Sequence, residues 1–114
     1  MSESAGRSFA DYFKRAVSPL AVLKLLRNKP MYGYELSQRM NDLGKGKLTG
    51  PVLYSVLYKL EQQGYVEIVE TVVVDGHARS YYAVTQKGNE YLIQTVAEYR
   101  ELAQIYLNAL EENL

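Results

Sequence analysis

Apolar side chains recur at helical spacing near the start of the chain and predict two short helices. Residues 8–17 place aromatic and aliphatic side chains on one stripe, as expected for a helix that packs on a core. Ser18 and Pro19 interrupt this pattern, because proline lacks a backbone donor and serine suits an N-cap position. We therefore predict a second helix at residues 19–27, with its leucines directed inward.

The segment at residues 47–65 has two chemically different faces. Thr49 suits an N-cap, Pro51 falls in the first turn, and Gly64 is placed to end the helix. One face repeats leucine and valine at helical spacing, which is typical of a core contact. The other face is aromatic, hydroxylated and basic, and it suits contact with phosphates and base edges. Its members are Pro51, Tyr54, Ser55, Tyr58, Lys59 and Gln62.

A helix, a turn and a hairpin surround this segment. The spacing predicts a helix from Tyr34 to about Asp42, followed by a glycine-rich basic linker at residues 43–47. After the two-faced segment, residues 65–74 and 80–84 are rich in β-branched and aromatic side chains, with an Asp-Gly turn signal between them. We expect one side of the first strand to carry Val66, Ile68, Val72 and Val74. This order is that of a winged helix-turn-helix, in which the hairpin is the wing.

The last segment, from about Gln86 to the C-terminus, predicts a long helix with an apolar seam. Apolar residues fall alternately three and four positions apart, which is the spacing of a coiled coil. We expect the seam to form a homodimer, because a single short recognition helix contacts few base pairs. The predicted interface residues are Leu92, Val96, Tyr99, Ala103, Tyr106 and Leu110.

The predicted fold class is therefore mainly α with a two-stranded β wing, namely a winged helix-turn-helix plus a long C-terminal dimerisation helix. We divide the chain into a disordered or flexible tail at residues 1–7, a DNA-binding domain with its N-terminal helix at residues 8–84, and a dimerisation helix at residues 85–114.

Charge is segregated along a chain whose formal net charge is zero. Residues 24–59 hold seven basic and two acidic side chains, a net charge of +5, whereas residues 60–114 hold three basic and nine acidic ones, a net charge of −6. This division predicts one face that meets a polyanion and another that does not. A neutral protein can thus present a basic surface to DNA.

The composition argues against several other classes of chemistry. There is no cysteine, which excludes disulfides and thiolate catalysis and fits a reducing compartment, so we expect a cytoplasmic location. His77 is the sole histidine, and we therefore expect no metal site. No nucleophile–base pair or cofactor motif is evident, and no apolar run is long enough to span a membrane. We expect neither an enzyme nor a cofactor.

Three motifs, at residues 32–36, 53–65 and 79–88, together are typical of one family. They read Tyr-Gly-Tyr-Glu-Leu, Leu-Tyr-Ser-Val-Leu-Tyr-Lys-Leu-Glu-Gln-Gln-Gly-Tyr and Arg-Ser-Tyr-Tyr-Ala-Val-Thr-Gln-Lys-Gly. The chain resembles the PadR family of winged-helix transcriptional regulators, in its compact subgroup with a single C-terminal dimerisation helix. The resemblance implies a dimer that binds a pseudo-palindromic operator in double-stranded DNA. It also implies a repressor that a small aromatic effector releases.

The resemblance and the two-faced helix together suggest which residues contact DNA. The wing holds two of them but looks less basic than in many relatives. The predicted DNA contacts are Tyr34, Lys47, Thr49, Tyr54, Ser55, Tyr58, Lys59, His77 and Arg79. Because the chain has no tryptophan to stack on a drug, we expect any effector cavity to be lined by other aromatic rings. The candidates are Phe9, Phe13, Tyr99 and Tyr106.

A different function is also compatible with the sequence. A winged helix can act as a protein-interaction module without sequence-specific DNA binding, and the zero net charge favours that alternative.

Overall fold

The computed structural model describes residues 8–46 and 53–114. Its elements, in chain order, are α1 (Phe9–Leu26), β1 (Met31–Tyr32), α2 (Gly33–Leu43), α3 (Leu53–Gln62), β2 (Val66–Val74), β3 (His77–Val84) and α4 (Gln86–Glu111). Lys47, Thr49 and Pro51 lie outside the described residues, as does the predicted tail at residues 1–7. The described part is mainly helical with a small antiparallel sheet, which confirms the predicted winged helix-turn-helix fold class.

The wing belongs to a sheet of three strands rather than two. The strand order is β1-β3-β2, because Met31 pairs with Tyr82 and Tyr32 with Tyr81. The prediction of a two-stranded wing is therefore incomplete. Two residues carry too little periodicity to predict a strand, and the pairing joins positions about 50 residues apart in the chain.

The first helix is continuous where the sequence predicts two. Ser8 is its N-cap and forms a capping box with Asp11. Ser18 does not cap a new helix, since its buried hydroxyl donates to the carbonyl of Lys14 at 2.6 Å. Pro19 therefore lies inside α1, at a cost of about 3 kcal/mol for an interior proline. Burial of the apolar residues after Pro19 offsets that cost.

The hydrophobic core lies where α1, α2 and α3 meet the sheet and the start of α4. Leucine predominates, and each fully buried leucine contributes about 1.5–3 kcal/mol. The buried apolar side chains are Ala21, Val22, Leu23, Leu26, Met31, Leu36, Met40, Leu53, Leu57, Leu60, Val66 and Leu92. The inward faces predicted for residues 19–27 and for the two-faced segment are thus confirmed. The stripe predicted at residues 8–17 does not pack on this core, because Phe9, Tyr12 and Phe13 remain exposed.

The third helix ends as predicted, at Gly64. This glycine has a φ of +80°, which only glycine adopts readily. The Tyr65 N–H donates to the carbonyl of Leu60 at 2.9 Å and the Gly64 N–H to that of Glu61 at 3.0 Å, which is the Schellman arrangement. Tyr65 therefore leaves α3 in a defined direction.

A bulge in β2 changes which side chains share a face of the wing. Asp75 and Gly76 both have positive φ, as in a type I′ turn, so the predicted hairpin turn is confirmed. Ile68 pairs with Tyr82 but Glu70 pairs with Tyr81, which leaves Val69 as the extra residue. After this bulge the side-chain alternation reverses.

The reversal overturns the prediction that Val72 and Val74 lie on the same side as Val66 and Ile68. Val72 pairs with Arg79 and Val74 with His77, on the face opposite the core. The bulge therefore brings Val72 and Val74 onto the outer face of the wing, beside the two predicted DNA contacts Arg79 and His77.

The last helix begins in close contact with the end of α3. Thr85 caps it by accepting from the Gly88 N–H at 3.0 Å, and its own N–H donates to the carbonyl of Tyr65 at 3.0 Å. The rings of Tyr65 and Tyr91 stack with centroids 4.4 Å apart. Leu92 follows in the core, at 3% exposure. Its assignment to the dimer seam is therefore wrong, because its own domain covers it.

None of the helices in the described ranges is long and apolar enough to cross a membrane. Across residues 8–46 and 53–114, no group of three or more acidic, histidine or cysteine side chains is arranged to hold a metal ion.

We predict that Gly88→Ala destabilises the fold strongly. A Cβ at this position would overlap the carbonyl oxygen of Tyr65, which is backbone and already bonded to Thr85. Overpacking against backbone should lower the free energy of unfolding by about 3 kcal/mol in chemical denaturation. The control is Gly76→Ala, where a Cβ meets nothing and only the positive φ costs about 1 kcal/mol. Equal losses of unfolding free energy in both variants would contradict the close approach of Gly88 in α4 to the Tyr65 carbonyl.

Candidate nucleic-acid interface

The α3 helix divides into a buried face and an exposed face, as the sequence predicts. Leu53, Leu57 and Leu60 are buried. Tyr54 and Tyr58 remain 64% and 63% exposed, which is far more than is usual for large aromatic residues. Ser55 and Lys59 are exposed beside them. This helix therefore presents rings, a hydroxyl and an ammonium group to solvent.

The ring of Tyr54 bridges the two helices of the helix-turn-helix. It lies over Gly33, at the start of α2, so closely that a Cβ there would overlap the phenol. The contact sets the Tyr54 ring against the residue that precedes Tyr34, a predicted DNA contact that is itself 63% exposed.

Tyr82 lies behind this contact, on the core side of the sheet. Burial raises the pKa of its phenol, and the nearby Glu61 carboxylate and Tyr54 hydroxyl raise it further. The phenol of Tyr82, neutral at physiological pH even at its ordinary pKa, thus becomes still harder to ionise beside the Glu61 carboxylate.

A polar cleft of about 690 Å³ separates α2 from the outer face of the wing. It brings Tyr34 together with Arg79, two predicted DNA contacts that lie 45 positions apart. The guanidinium of Arg79 lies over the ring of Tyr32, 4.9 Å from its centroid. Lys29 forms an ion pair with Glu35 at 3.0 Å on the same rim.

Sequence reasoning missed three residues that line this cleft. Tyr32 opens the Tyr-Gly-Tyr motif, but its place in a strand depends on pairing with β3. Lys29 precedes a proline, and its place in the basic stretch at residues 24–59 was the available signal. Arg39 follows Glu35 by four positions on α2, and that helical spacing was the available signal.

The other predicted DNA contacts are spread more widely. Tyr58 and Lys59 lie further along α3 and do not line the cleft. His77 is exposed beside the hairpin turn, paired with Val74. Lys47 and Thr49 are outside the described residues. The structure thus places the predicted contacts that it describes on α3, in the cleft and near the hairpin turn.

A second concave surface, largely apolar, lies between α1 and α4. This groove has a volume of about 530 Å³, and all four predicted effector residues, Phe9, Phe13, Tyr99 and Tyr106, line it. The ring of Phe13 meets that of Phe9 and, edge-on, that of Tyr99, each at a centroid distance of 6.0 Å. The aromatic residues predicted to form a cavity are therefore neighbours.

Beyond Leu92, the seam of α4 is largely uncovered. Val96, Tyr99, Tyr106 and Leu110 are exposed to between 38% and 67%, and Ala103 is half-buried. Exposed residues outside the seam extend this surface, and they include Leu102, Ile105 and Leu107. A continuous apolar surface of this kind marks an interaction site.

These features define a winged-helix protein with an exposed aromatic and polar face on α3 and, between α2 and the wing, a cleft lined by aromatic, basic and acidic side chains. A model of the transcriptional regulator PadR-like family matches residues 22–94, which is more than half of the chain. The chain belongs to this PadR-like family of transcriptional regulators, whose members bind DNA and are not enzymes.

Relatives and solved structures agree with this assignment. An uncharacterised protein from Lysinibacillus sphaericus is 33% identical over 95 residues, covering 79% of this chain and 87% of that protein. A PadR-family transcriptional regulator from Eggerthella lenta has a TM-score of 0.77 at 28% identity, covering 88% of this chain and 87% of the other. A transcriptional regulator from Clostridium thermocellum has a TM-score of 0.74 at 27% identity, covering 85% and 95%.

We predict that the effect of Gly33→Ala on the free energy of unfolding depends on whether Tyr54 is present. In a Tyr54→Ala background the new methyl group has room, so Gly33→Ala should stabilise the helix by about 1 kcal/mol. In the natural background the methyl group displaces the Tyr54 ring, and this gain should vanish. Chemical denaturation of the four proteins measures the coupling.

The matched control for this cycle is Tyr58→Ala, which removes an equally exposed tyrosine from the same helix. No coupling is expected between Gly33 and Tyr58. Coupling of the same size in both cycles would contradict the specific contact with Tyr54.

Proposed function

We propose that this protein is a homodimeric transcriptional regulator that binds a specific pseudo-palindromic DNA sequence. One observation carries the proposal: α3 keeps two tyrosines, a serine and a lysine exposed on the face opposite its buried leucines. In this proposal α3 enters the major groove, and the cleft and wing meet the adjacent backbone. The proposed contacts are Tyr34, Lys47, Thr49, Tyr54, Ser55, Tyr58, Lys59, His77 and Arg79.

The dimer is proposed to form through α4 with help from the start of α1. The argument is the exposed apolar surface, which includes Val96, Tyr106 and Leu110 and would be costly to leave in water. A two-fold axis along this surface makes the interface isologous. It would place two recognition helices on successive half-sites about one helical turn apart.

We further propose that the regulator is a repressor released by a small aromatic molecule bound in the groove between α1 and α4. Phe9, Phe13, Tyr99 and Tyr106 offer stacking surfaces, and the groove is large enough for a small planar ligand. Because α4 would also form the dimer, a ligand there could shift the two half-sites relative to each other.

DNA selection tests the central proposal. A duplex library with a randomised centre, selected on the full-length protein, should yield a pseudo-palindrome that binds at least about 1000-fold more tightly than random duplex at physiological salt. Binding that shows no preference over random duplex would overturn the proposal of sequence-specific regulation.

We predict that Lys59→Ala weakens operator binding by removing a phosphate contact. For a dimer with two such contacts, the slope of log K against log salt should fall by about two units in a fluorescence-anisotropy titration. Arg100→Ala is the control, because Arg100 is an exposed cation on α4 outside the proposed contacts. An unchanged slope for Lys59→Ala would remove Lys59 from the interface.

We predict that Tyr106→Glu converts the dimer to a monomer. A carboxylate buried at the proposed interface would be strongly unfavourable, and analytical ultracentrifugation should show the mass halved at micromolar concentration. Gln104→Glu adds the same charge at another exposed position on α4, outside the predicted seam, and should leave the dimer intact. A dimeric Tyr106→Glu protein would contradict the proposed interface.

The zero net charge favours one alternative function, a winged-helix module that binds protein. Neutralising basic residues and selecting DNA distinguish it from a DNA binder. A DNA binder should lose affinity steeply when Lys45, Lys47 and Lys59 are neutralised together. A protein-binding module should be far less sensitive and should select no duplex.

A further inference from the structure

We propose that Tyr32 is a positioning residue for the wing, whose ring holds the Arg79 guanidinium at the cleft in a direction that suits a DNA phosphate. This inference rests on the proposed function, because it assumes that the wing meets DNA. It adds a residue outside the predicted contact set and assigns it a role through Arg79 rather than through DNA.

The geometry places the ring and the cation against each other from two strands. Tyr32 pairs with Tyr81 across β1 and β3, and their rings lie 5.3 Å apart between centroids. Arg79 is two positions before Tyr81 and so lies on the same outer face. Its guanidinium carbon is 4.9 Å from the centre of the Tyr32 ring, within the range of a cation–π contact.

Arg79 is oriented here without being neutralised. Among residues 8–46 and 53–114 the one ion pair within 4.0 Å is that of Lys29 with Glu35, and Glu70 lines the cleft without pairing with Arg79. A carboxylate partner would fix Arg79 but cancel its charge. An aromatic face fixes the plane of the guanidinium and leaves its N–H donors at the edge, where a phosphate can accept them.

Strand pairing and partial burial hold Tyr32 and Arg79 in place. Tyr32 has its backbone fixed by pairing with β3, and both Tyr32 and Arg79 are half-buried. A long arginine side chain that is already ordered loses less conformational freedom on binding. We therefore expect Tyr32 to increase DNA affinity although its ring makes no contact with DNA.

A double-mutant cycle tests the inference on the selected operator. Tyr32→Leu should weaken binding about threefold per subunit, and so about tenfold for the dimer, when the cation–π contact is lost. Tyr32→Phe keeps the ring and should bind like the natural protein. In an Arg79→Ala background, Tyr32→Leu should have no further effect.

Three results would overturn the inference. One is an equal loss from Tyr32→Leu with and without Arg79, which would make Tyr32 an independent contact or a purely structural residue. Another is a failure of Tyr32→Phe to rescue binding, which would assign the effect to the hydroxyl. The third is an operator affinity of Tyr32→Leu equal to that of the natural protein.

Two further measurements keep the test decisive if Tyr32→Leu does not fold. Arg79→Lys keeps the charge but not the planar group. Its affinity for the operator should therefore fall while the slope of log K against log salt stays unchanged. Operator affinity equal to that of the natural protein would overturn the inference. In the free protein, the side-chain proton resonances of Arg79 should be shifted upfield by the Tyr32 ring, and also in Tyr32→Phe. Unshifted resonances would likewise overturn it.

These outcomes are separable from failure of the proposed function. If the natural protein selects no duplex, the proposed function fails, and the resonance of Arg79 still tests the contact. If the natural protein binds its operator but the cycle shows no coupling between Tyr32 and Arg79, the positioning role alone fails.

Discussion

The structure depends on the contacts that Tyr65 makes with the end of α3 and with the start of α4. Its N–H closes the Schellman turn that ends α3, and its carbonyl accepts from Thr85 and lies against Gly88. Its ring stacks on that of Tyr91, and Lys87 donates to the neighbouring carbonyl of Gln63 at 3.0 Å. Hydrogen bonds and close packing of the Tyr65 backbone therefore connect the end of α3 directly to the start of α4.

This rigid junction gives the proposed regulation a physical route. If α4 forms the dimer, the contacts of Tyr65 connect a change in how two α4 helices meet to the end of α3. The groove between α1 and α4 is lined by the rings of Phe13 and Tyr99, far along α4 from that junction. A ligand there would act on the spacing of two recognition helices rather than on their chemistry.

The candidate site was partly predictable from the sequence because its chemistry lies on one helix. Tyr54, Ser55, Tyr58 and Lys59 alternate with buried leucines, and helical periodicity alone separates the two faces. Tyr32 was not predictable, because its partner Arg79 is on another strand and only the pairing of β1 with β3 brings them together.

Local signals in the sequence determined the end of α3 at Gly64, the turn at Asp75 and Gly76, and the cap at Thr85, since each depends on neighbouring residues only. Tertiary structure decided the rest. Core burial keeps α1 helical across Pro19. A bulge reverses which side chains of β2 face the core, and Leu92 is buried in its own domain instead of lying in the exposed seam. At Pro19 contacts between distant parts of the chain outweigh a local preference of about 3 kcal/mol. The strand register and the burial of Leu92 depend on which distant residues meet, and local spacing does not encode that.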